Sequence, residues 1–432
     1  RFLQELWVRH LEDVKRAATA ANPDVNVGTD AGYYGPAMSE TFGRLDYLAP
    51  YYDDRAVKVA VSRGRMRRPG DFGATLGSYG EKPADMSGRR SQIWDVLFAG
   101  GNSFYYWMFQ AGLSEDLVLS DKHALYQCEV TEELADGIGE LFTSSQRIFD
   151  PIAILDSQTS AICDQLEAKG GPLTSQANSI AAFQFAFEDL GLNPHTITTP
   201  ELENGWLQEH GVKLLAIAGA NSLSDDEIQQ IHGFALAGGV VIADMLPGLR
   251  KPNGVLRDAA PLAETFGVAF DPAGKTLRVR GTLKAKCGAP DAPELDFSEA
   301  LADPRVTAKD AAALGAVDQT PTLFLHHPGK GTAYLLNASF CSYATYRNEG
   351  GDLWRPWHEV AKRSVAAAGL SPTFPFTSSE AETPGLELSP FRCGSGYLLG
   401  VEDLGCGDFT GPRRPFEVKL PGTFNLYDIR AG

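Results

Sequence analysis

The sequence predicts an α/β protein in three parts, and three observations carry this. Short apolar strands alternate with helically spaced segments through the first 148 residues. A second series of buried strands and helices starts at Pro151, and beyond Pro372 the pattern changes to short strands separated by turn residues. The parts are expected at residues 1–148, 149–372 and 373–432.

In the first part Leu3, Leu6, Trp7, Leu11, Val14 and Ala18 share helical spacing, and Asn22-Pro23 ends the helix. A strand at Val25 and Val27 runs to Gly28-Thr29-Asp30, and a second occupies Leu45 to Ala49. A third is expected at Ala74-Thr75-Leu76, with Gly77-Ser78-Tyr79-Gly80-Glu81 at its end. A helix through Ile93, Trp94, Leu97 and Phe98 stops at Gly100-Gly101 before a fourth strand, Ser103 to Trp107. Four βα units are half of an eight-stranded ring, so this part reads as the C-terminal half of a TIM (β/α)8 barrel. The sequence has no initiator Met and opens on a helical pattern, which predicts a fragment. Cytoplasmic, periplasmic and secreted locations therefore all stay open.

In the second part Ile152 to Asp156 is a buried strand, followed by a helix from Ser179 to Leu190 and a strand at His195-Thr196-Ile197. Lys213 to Ile217 is the next strand. Ser224 and Glu227 then form a capping box that opens a helix through Ile228, Ile231 and Phe234. Gly238-Gly239 closes it, and Val240 to Asp244 follows as a strand. That alternation predicts a doubly wound, flavodoxin-like sheet. Residues 255–370 finish it, with a strand at Ala333 to Asn337. Tyr397 to Val401, Phe416 to Leu420 and Asn425 to Tyr427 suit a small antiparallel β-domain.

Composition excludes several functions. A net charge of −17 repels phosphate backbones and anionic membranes, so neither nucleic acid nor a membrane is an expected partner. The basic run Arg63 to Arg68 reads as a solvated loop before Pro69-Gly70. No apolar stretch has transmembrane length. The six cysteines, Cys128, Cys163, Cys287, Cys341, Cys393 and Cys406, lack any C-x-x-C spacing, and only Cys393 and Cys406 are near enough in sequence to suggest a disulfide. There is no P-loop, G-x-S-x-G elbow or H-E-x-x-H, and Gly329-Lys330-Gly331 lacks the third glycine of a dinucleotide fingerprint, so no cofactor is expected. His326-His327 lacks a third ligand, so no metal is expected. Asn337-Ala338-Ser339 is a formal glycosylation sequon.

Chemistry in such barrels sits at the C-terminal ends of the strands. Those ends here bring Asp30 and Tyr33, Tyr51 and Tyr52, Tyr79 and Glu81, and Trp107. Aromatic rings stack on the apolar faces of pyranoses, and carboxylates accept hydroxyl hydrogen bonds and supply acid/base chemistry. A carbohydrate substrate is the expected partner. A competing reading places a thiol nucleophile in the second part, with Cys163 beside His195 or His210.

The segment from Arg90 to Trp107 resembles the last helix and eighth strand of the family-42 β-galactosidase barrel. Thr131 to Ser145 and Pro151 to Asp156 resemble that family's link into its second domain. Leu214 to Ser224 and Gly238 to Asp244 are similar to its trimerisation domain, which has a glutamine-amidotransferase-like fold without amidotransferase chemistry. The final strands, with Tyr427-Asp428-Ile429-Arg430, look like its C-terminal β-domain. The resemblance implies a retaining glycosidase and a homotrimer assembled through residues 149–372. It also implies that the strand before the eighth carries the nucleophile, which places that role on Glu81, with Asp30 and Asp71 as fallback carboxylates. Asp30, Tyr33, Tyr52, Tyr79 and Trp107 would face the sugar, and the acid/base would lie upstream of Arg1. The alternative is a catalytically inactive glycan-binding or assembly protein on the same scaffold.

Overall fold

The chain divides into two units, Arg1–Ile148 with Phe376–Gly432, and Phe149–Pro375. The computed structural model describes residues 2–30, 44–49, 68–73, 94, 96–101, 103–106, 132, 134–166, 175–274, 279–286, 294–349, 352–378, 384–403 and 415–422.

The first unit opens with α1 (Phe2–Ala21), the helix that its spacing predicts, although the expected apolar face is not the buried one. Val8 is buried, and Leu6, Trp7 and Val14 are exposed. The helix stops where Pro23 cannot continue it, and Asn22 accepts the Asp24 N–H on its own side chain. Four short strands follow: β1 (Gly28–Asp30), β2 (Tyr47–Ala49), β3 (Arg68–Gly73) and β4 (Ser103–Tyr106). They pair in parallel in the order β1-β2-β3-β4. Asp46 joins the start of this sheet to α1, because its carboxylate takes Lys15 Nζ at 2.9 Å and Val27 N–H at 3.0 Å.

One strand is displaced from its expected place. The partner of β2 and β4 is Arg68–Gly73, ahead of the predicted Ala74-Thr75-Leu76, which lies outside the described residues. Arg68 is therefore in a strand, and Arg63 to Arg67, the rest of the basic run expected as a solvated loop, lie outside the described residues. Pro69-Gly70 reads locally as a turn, but parallel pairing on both sides overrides that preference. Residues 94 and 96–98 are helical. Gly100, at φ 96°, reverses the chain so that Gly100 and Gly101 donate to Leu97 O and Val96 O, which leads into β4. β5 (Gln146–Arg147) sends Arg147 Nη1 to Ala99 O at 2.9 Å.

The second unit is a nine-stranded sheet. Its parallel part takes β6 (Ile152–Asp156), β7 (His195–Thr198), β8 (Leu214–Ile217) and β9 (Val240–Asp244). Between them run α2 (Gln158–Leu166), α3 (Gln176–Glu188) and α4 (Asp225–Ala237). The Ser224/Glu227 capping box starts α4 and Gly238, at φ 119°, ends it. β10 (Val268–Phe270) pairs with β13 (Val306–Ala308) at one side. β11 (Val279–Lys286), β12 (Glu294–Ala302), β14 (Ala312–Val317) and β15 (Thr320–His326) extend the main sheet antiparallel, and β16 (Thr332–Leu336) rejoins it parallel to β9. The spatial order is β12-β11-β14-β15-β16-β9-β8-β6-β7. Taken in chain order, the five parallel strands stand 2-1-3-4-5, the arrangement of a flavodoxin-like sheet.

Burial on both faces follows from the alternation of side chains along each strand. Ile152 and Ile154 pack into a core with Phe183, Phe187, Phe340 and Trp357, beneath α3, α5 (Ser342–Glu349) and α6 (Arg355–Ala367). Ala153 and Leu155 point to the opposite core with Phe234, Phe266 and Phe324. Asn337 is fully buried and its amide donates to Asp303 O at 2.8 Å and Pro321 O at 3.2 Å. The sequon is therefore spent on packing.

The chain then returns to the first unit. β17 (Phe376–Ser378) pairs with β20 (Phe416–Val418). β18 (Leu386–Cys393) and β19 (Gly396–Asp403) form a hairpin to which β5 adds a third strand. The C-terminal strands are thus joined to the N-terminal segment, where a separate β-domain was expected. Phe391 and Leu398 share a core with Leu97 and Phe142. Cys393 is a free thiol, and Cys406 lies outside the described residues.

Candidate functional site at the strand ends

Two sets of parallel strands end in polar residues. In the first unit Asp30 is the last residue of β1, as expected. Tyr33, Tyr51, Tyr52, Tyr79, Glu81 and Trp107 lie outside the described residues. The position of β3 changes one relation. The strand beside β4 is described from Arg68 to Gly73, so Glu81 stands eight residues past it (81 against 73), where it was expected five residues past Leu76 (81 against 76). Asp71 lies within β3, in register with Phe104 of β4.

In the second unit the strand ends are closed by their own side chains. Asp244 ends β9 at 1% exposure, and its carboxylate gathers three donors from three elements. Gly219 N–H, beyond β8, binds Oδ1 at 2.6 Å. Ser179 Oγ of α3 and Phe340 N–H, between β16 and α5, bind Oδ2 at 2.6 and 2.9 Å. Burial raises the Asp244 pKa, and these three hydrogen bonds oppose the rise. Met245, immediately after it, holds φ 59° and donates its N–H to Leu336 O. Gly219 must be glycine, because it has φ 52° and a Cβ there would stand 3.1 Å from Gln176 Cα.

Beside this hub the crevice between β6 and β8, where a doubly wound sheet reverses its strand order and ordinarily takes a ligand, is filled by hydroxyls. Ser157, Thr159 and Ser160 all reach Ser222 O at 2.9 Å, and Ser222 N–H returns to Ser160 Oγ. Asp164 accepts Gln176 N–H at 2.7 Å and the Asn221 amide at 3.2 Å.

One residue that sequence reasoning passed over stands here. Cys341 lies between β16 and α5, a strand-to-helix turn of the kind that presents a nucleophile. The spacing of the strand at 332–336 from the helix at 342 is the signal that would have found it. Its environment is opposite to what a nucleophile needs. Burial pushes the thiol up to about 12, with the Asp244 charge acting in the same direction, while Sγ rests on Ser175 O at 3.6 Å. Nor does the structure bring Cys163 to a histidine. Cys163 is buried against Gly254. His195 stacks on Phe149 and meets Trp206 edge-on, and His210 stacks on Trp206.

His326 Nδ1 contacts Thr265 O and His327 Nδ1 contacts Thr332 Oγ1. Among the described residues no cluster of His, Cys, Asp or Glu could hold a metal ion, and no helix is long and apolar enough to cross a membrane.

No protein-family model matches the sequence, and no curated protein matches it. Solved structures do match. The β-galactosidase from Bacillus circulans sp. alkalophilus superposes with a TM-score of 0.72 at 12% identity, over 93% of this chain and 61% of that one. The cold-adapted β-galactosidase from Rahnella sp. R3 gives 0.72 at 14% identity, over 92% and 61%. Gan42B, a family-42 β-galactosidase from G. stearothermophilus, gives 0.67 at 13% identity, over 92% and 62%. At these identities the likeness is one of fold, and at that level the resemblance read from the sequence is borne out. The chain spans about three-fifths of the length of these structures.

Proposed function

We propose that this chain is part of a glycoside hydrolase that cleaves terminal or internal β-glycosidic bonds of galactose-like sugars by a retaining, two-carboxylate mechanism. The observation that carries the reading is the likeness of fold to several β-galactosidases over nine-tenths of the chain. The aromatic and acidic residues that the sequence places after successive strands support it. In this reading β1 to β4 are the last four strands of a TIM barrel. Phe149–Pro375 is an amidotransferase-like unit through which copies assemble as a trimer.

A retaining mechanism needs two carboxyl groups about 5 Å apart. Glu81 is the proposed nucleophile, and an acid/base from outside these 432 residues protonates the leaving group. Asp30, Tyr33, Tyr52, Tyr79 and Trp107 hold the sugar ring. Asp71, two residues before the end of β3, is the competing carboxylate.

The test is release of nitrophenol from a nitrophenyl β-galactoside by protein made from the complete reading frame. Glu81→Gln should lower turnover by roughly a thousandfold with little change in thermal stability. If Asp71→Asn abolishes turnover and Glu81→Gln does not, the nucleophile is Asp71.

One observation favours a second reading, an inactive glycan-binding protein: Gly77-Ser78-Tyr79-Gly80 separates Glu81 from the apolar run Ala74-Thr75-Leu76 in the sequence. Sugar binding without any turnover by the same protein would select it.

A further inference from the structure

The chain passes into the second unit at Phe149, and the residues there are held by contacts that the proposed chemistry does not use. Asp150 is buried and pairs with Asn193 in both directions. Its N–H donates to Asn193 O at 2.8 Å, and Asn193 N–H donates to Asp150 Oδ2 at 2.7 Å. Ile152 N–H donates to Asp150 O at 2.7 Å, and Lys213 N–H donates to Pro151 O at 2.9 Å. The Phe149 ring stacks on His195 at 4.4 Å. A ladder of rings continues through Trp206 at 4.9 Å to His210 at 4.0 Å. Every residue from Phe149 to Ile152 is thus fastened to α3, β7 or β8 or to the loops next to them.

We propose that Asp150 and Asn193 form a pH-sensitive clamp on the segment that leads the chain into the second unit. The clamp contains one ionisable side chain, and among the described residues no ion pair gives that side chain a counter-charge. On the elements around it the titratable groups are Glu188 and Asp189 at the end of α3, His195 on β7, Glu209 and His210 near Trp206, and Lys213 before β8. Asp150 forms an ion pair with none of them among the described residues. A carboxylate in that position gives up its hydration for a single N–H donor.

The direction of the switch follows. Burial raises the Asp150 pKa from 3.8 to about 6, with the Asn193 N–H pulling the other way. The closed clamp therefore binds the proton more tightly than an open segment exposed to water. Closure is strongest below the open-state value of 3.8 and weakens as the pH climbs through about 6, above which it levels off. Between about pH 5 and about pH 7.5 the open population should rise about tenfold.

Native-state hydrogen exchange on the full chain tests this, because the amides of Asp150, Ile152 and Asn193 are the clamp's own donors. After correction for intrinsic rates, their protection should fall about tenfold from about pH 5 to about pH 7.5. Asp150→Asn should keep them protected at both values and remove the dependence, while His195→Gln should leave the dependence in place. Protection that does not change with pH in the unsubstituted chain overturns the proposal without recourse to any variant. So does a dependence that survives Asp150→Asn or disappears in His195→Gln. Neither result bears on the glycosidase reading.

Discussion

Asp30 closes β1 of the first unit, and Asp244 closes β9 of the second. Both carboxylates stand at the C-terminal end of a parallel strand, where α/β proteins place their chemistry, and the resemblance ends there. Asp244 spends its oxygens on Gly219, Ser179 and Phe340 and so joins β8, α3 and the turn before α5. The hydroxyls of Ser157, Thr159 and Ser160 fill the neighbouring crevice, and Cys341, at a strand-to-helix turn, is held as an inert thiol. A sheet order that elsewhere holds nucleotides or nucleophiles here serves packing, which is why fold alone does not assign a reaction. In the first unit the sequence places aromatic residues and carboxylates after the expected strands, and the proposed chemistry is assigned there.

The comparison can be broken most severely at Asp244. Asp244→Ala leaves three buried donors without an acceptor and should lower the stability of the second unit by about 3 kcal/mol or more, read as the denaturant midpoint. Activity per folded molecule should hold. A stable Asp244→Ala protein that has lost turnover would move the chemistry into the second unit. Ser224→Ala removes a helix cap and should cost about 1 kcal/mol by the same measurement. Cys341 should resist a thiol reagent at about pH 8 until the protein unfolds, and Cys341→Ser should leave turnover unchanged. Rapid labelling in the native protein would contradict its placement. The smallest effect expected is none: secretion through a glycosylating host should add no glycan at Asn337, as read by intact mass.

Much of the second unit is legible in the sequence because its signals are local and agree with one another. Ile152–Asp156 and Val240–Asp244 are continuous apolar runs, each opened after a Pro or Gly and closed by an Asp, and they fold as the strands they spell. Ser224, Glu227 and Gly238 mark the ends of α4 by capping chemistry that needs no tertiary partner. The failures share the opposite cause. Arg68-Pro69-Gly70 has turn composition and becomes a strand only because β2 and β4 flank it. The union of β5 with β18 depends on residues more than two hundred positions apart, which no window of sequence contains. The place of Cys341 between a strand and a helix is legible in the spacing, but its inertness depends on what surrounds it, and burial is not written in spacing.

The most direct test of where the chemistry lies is covalent trapping with a 2-deoxy-2-fluoro β-galactoside, followed by peptide mapping of the active protein. A retaining enzyme should carry the sugar on one carboxylate, and the account predicts that label on a peptide spanning residues 68–94, at Glu81 or Asp71. A label in the second unit, on Cys341 or any other residue of Phe149–Pro375, would contradict it.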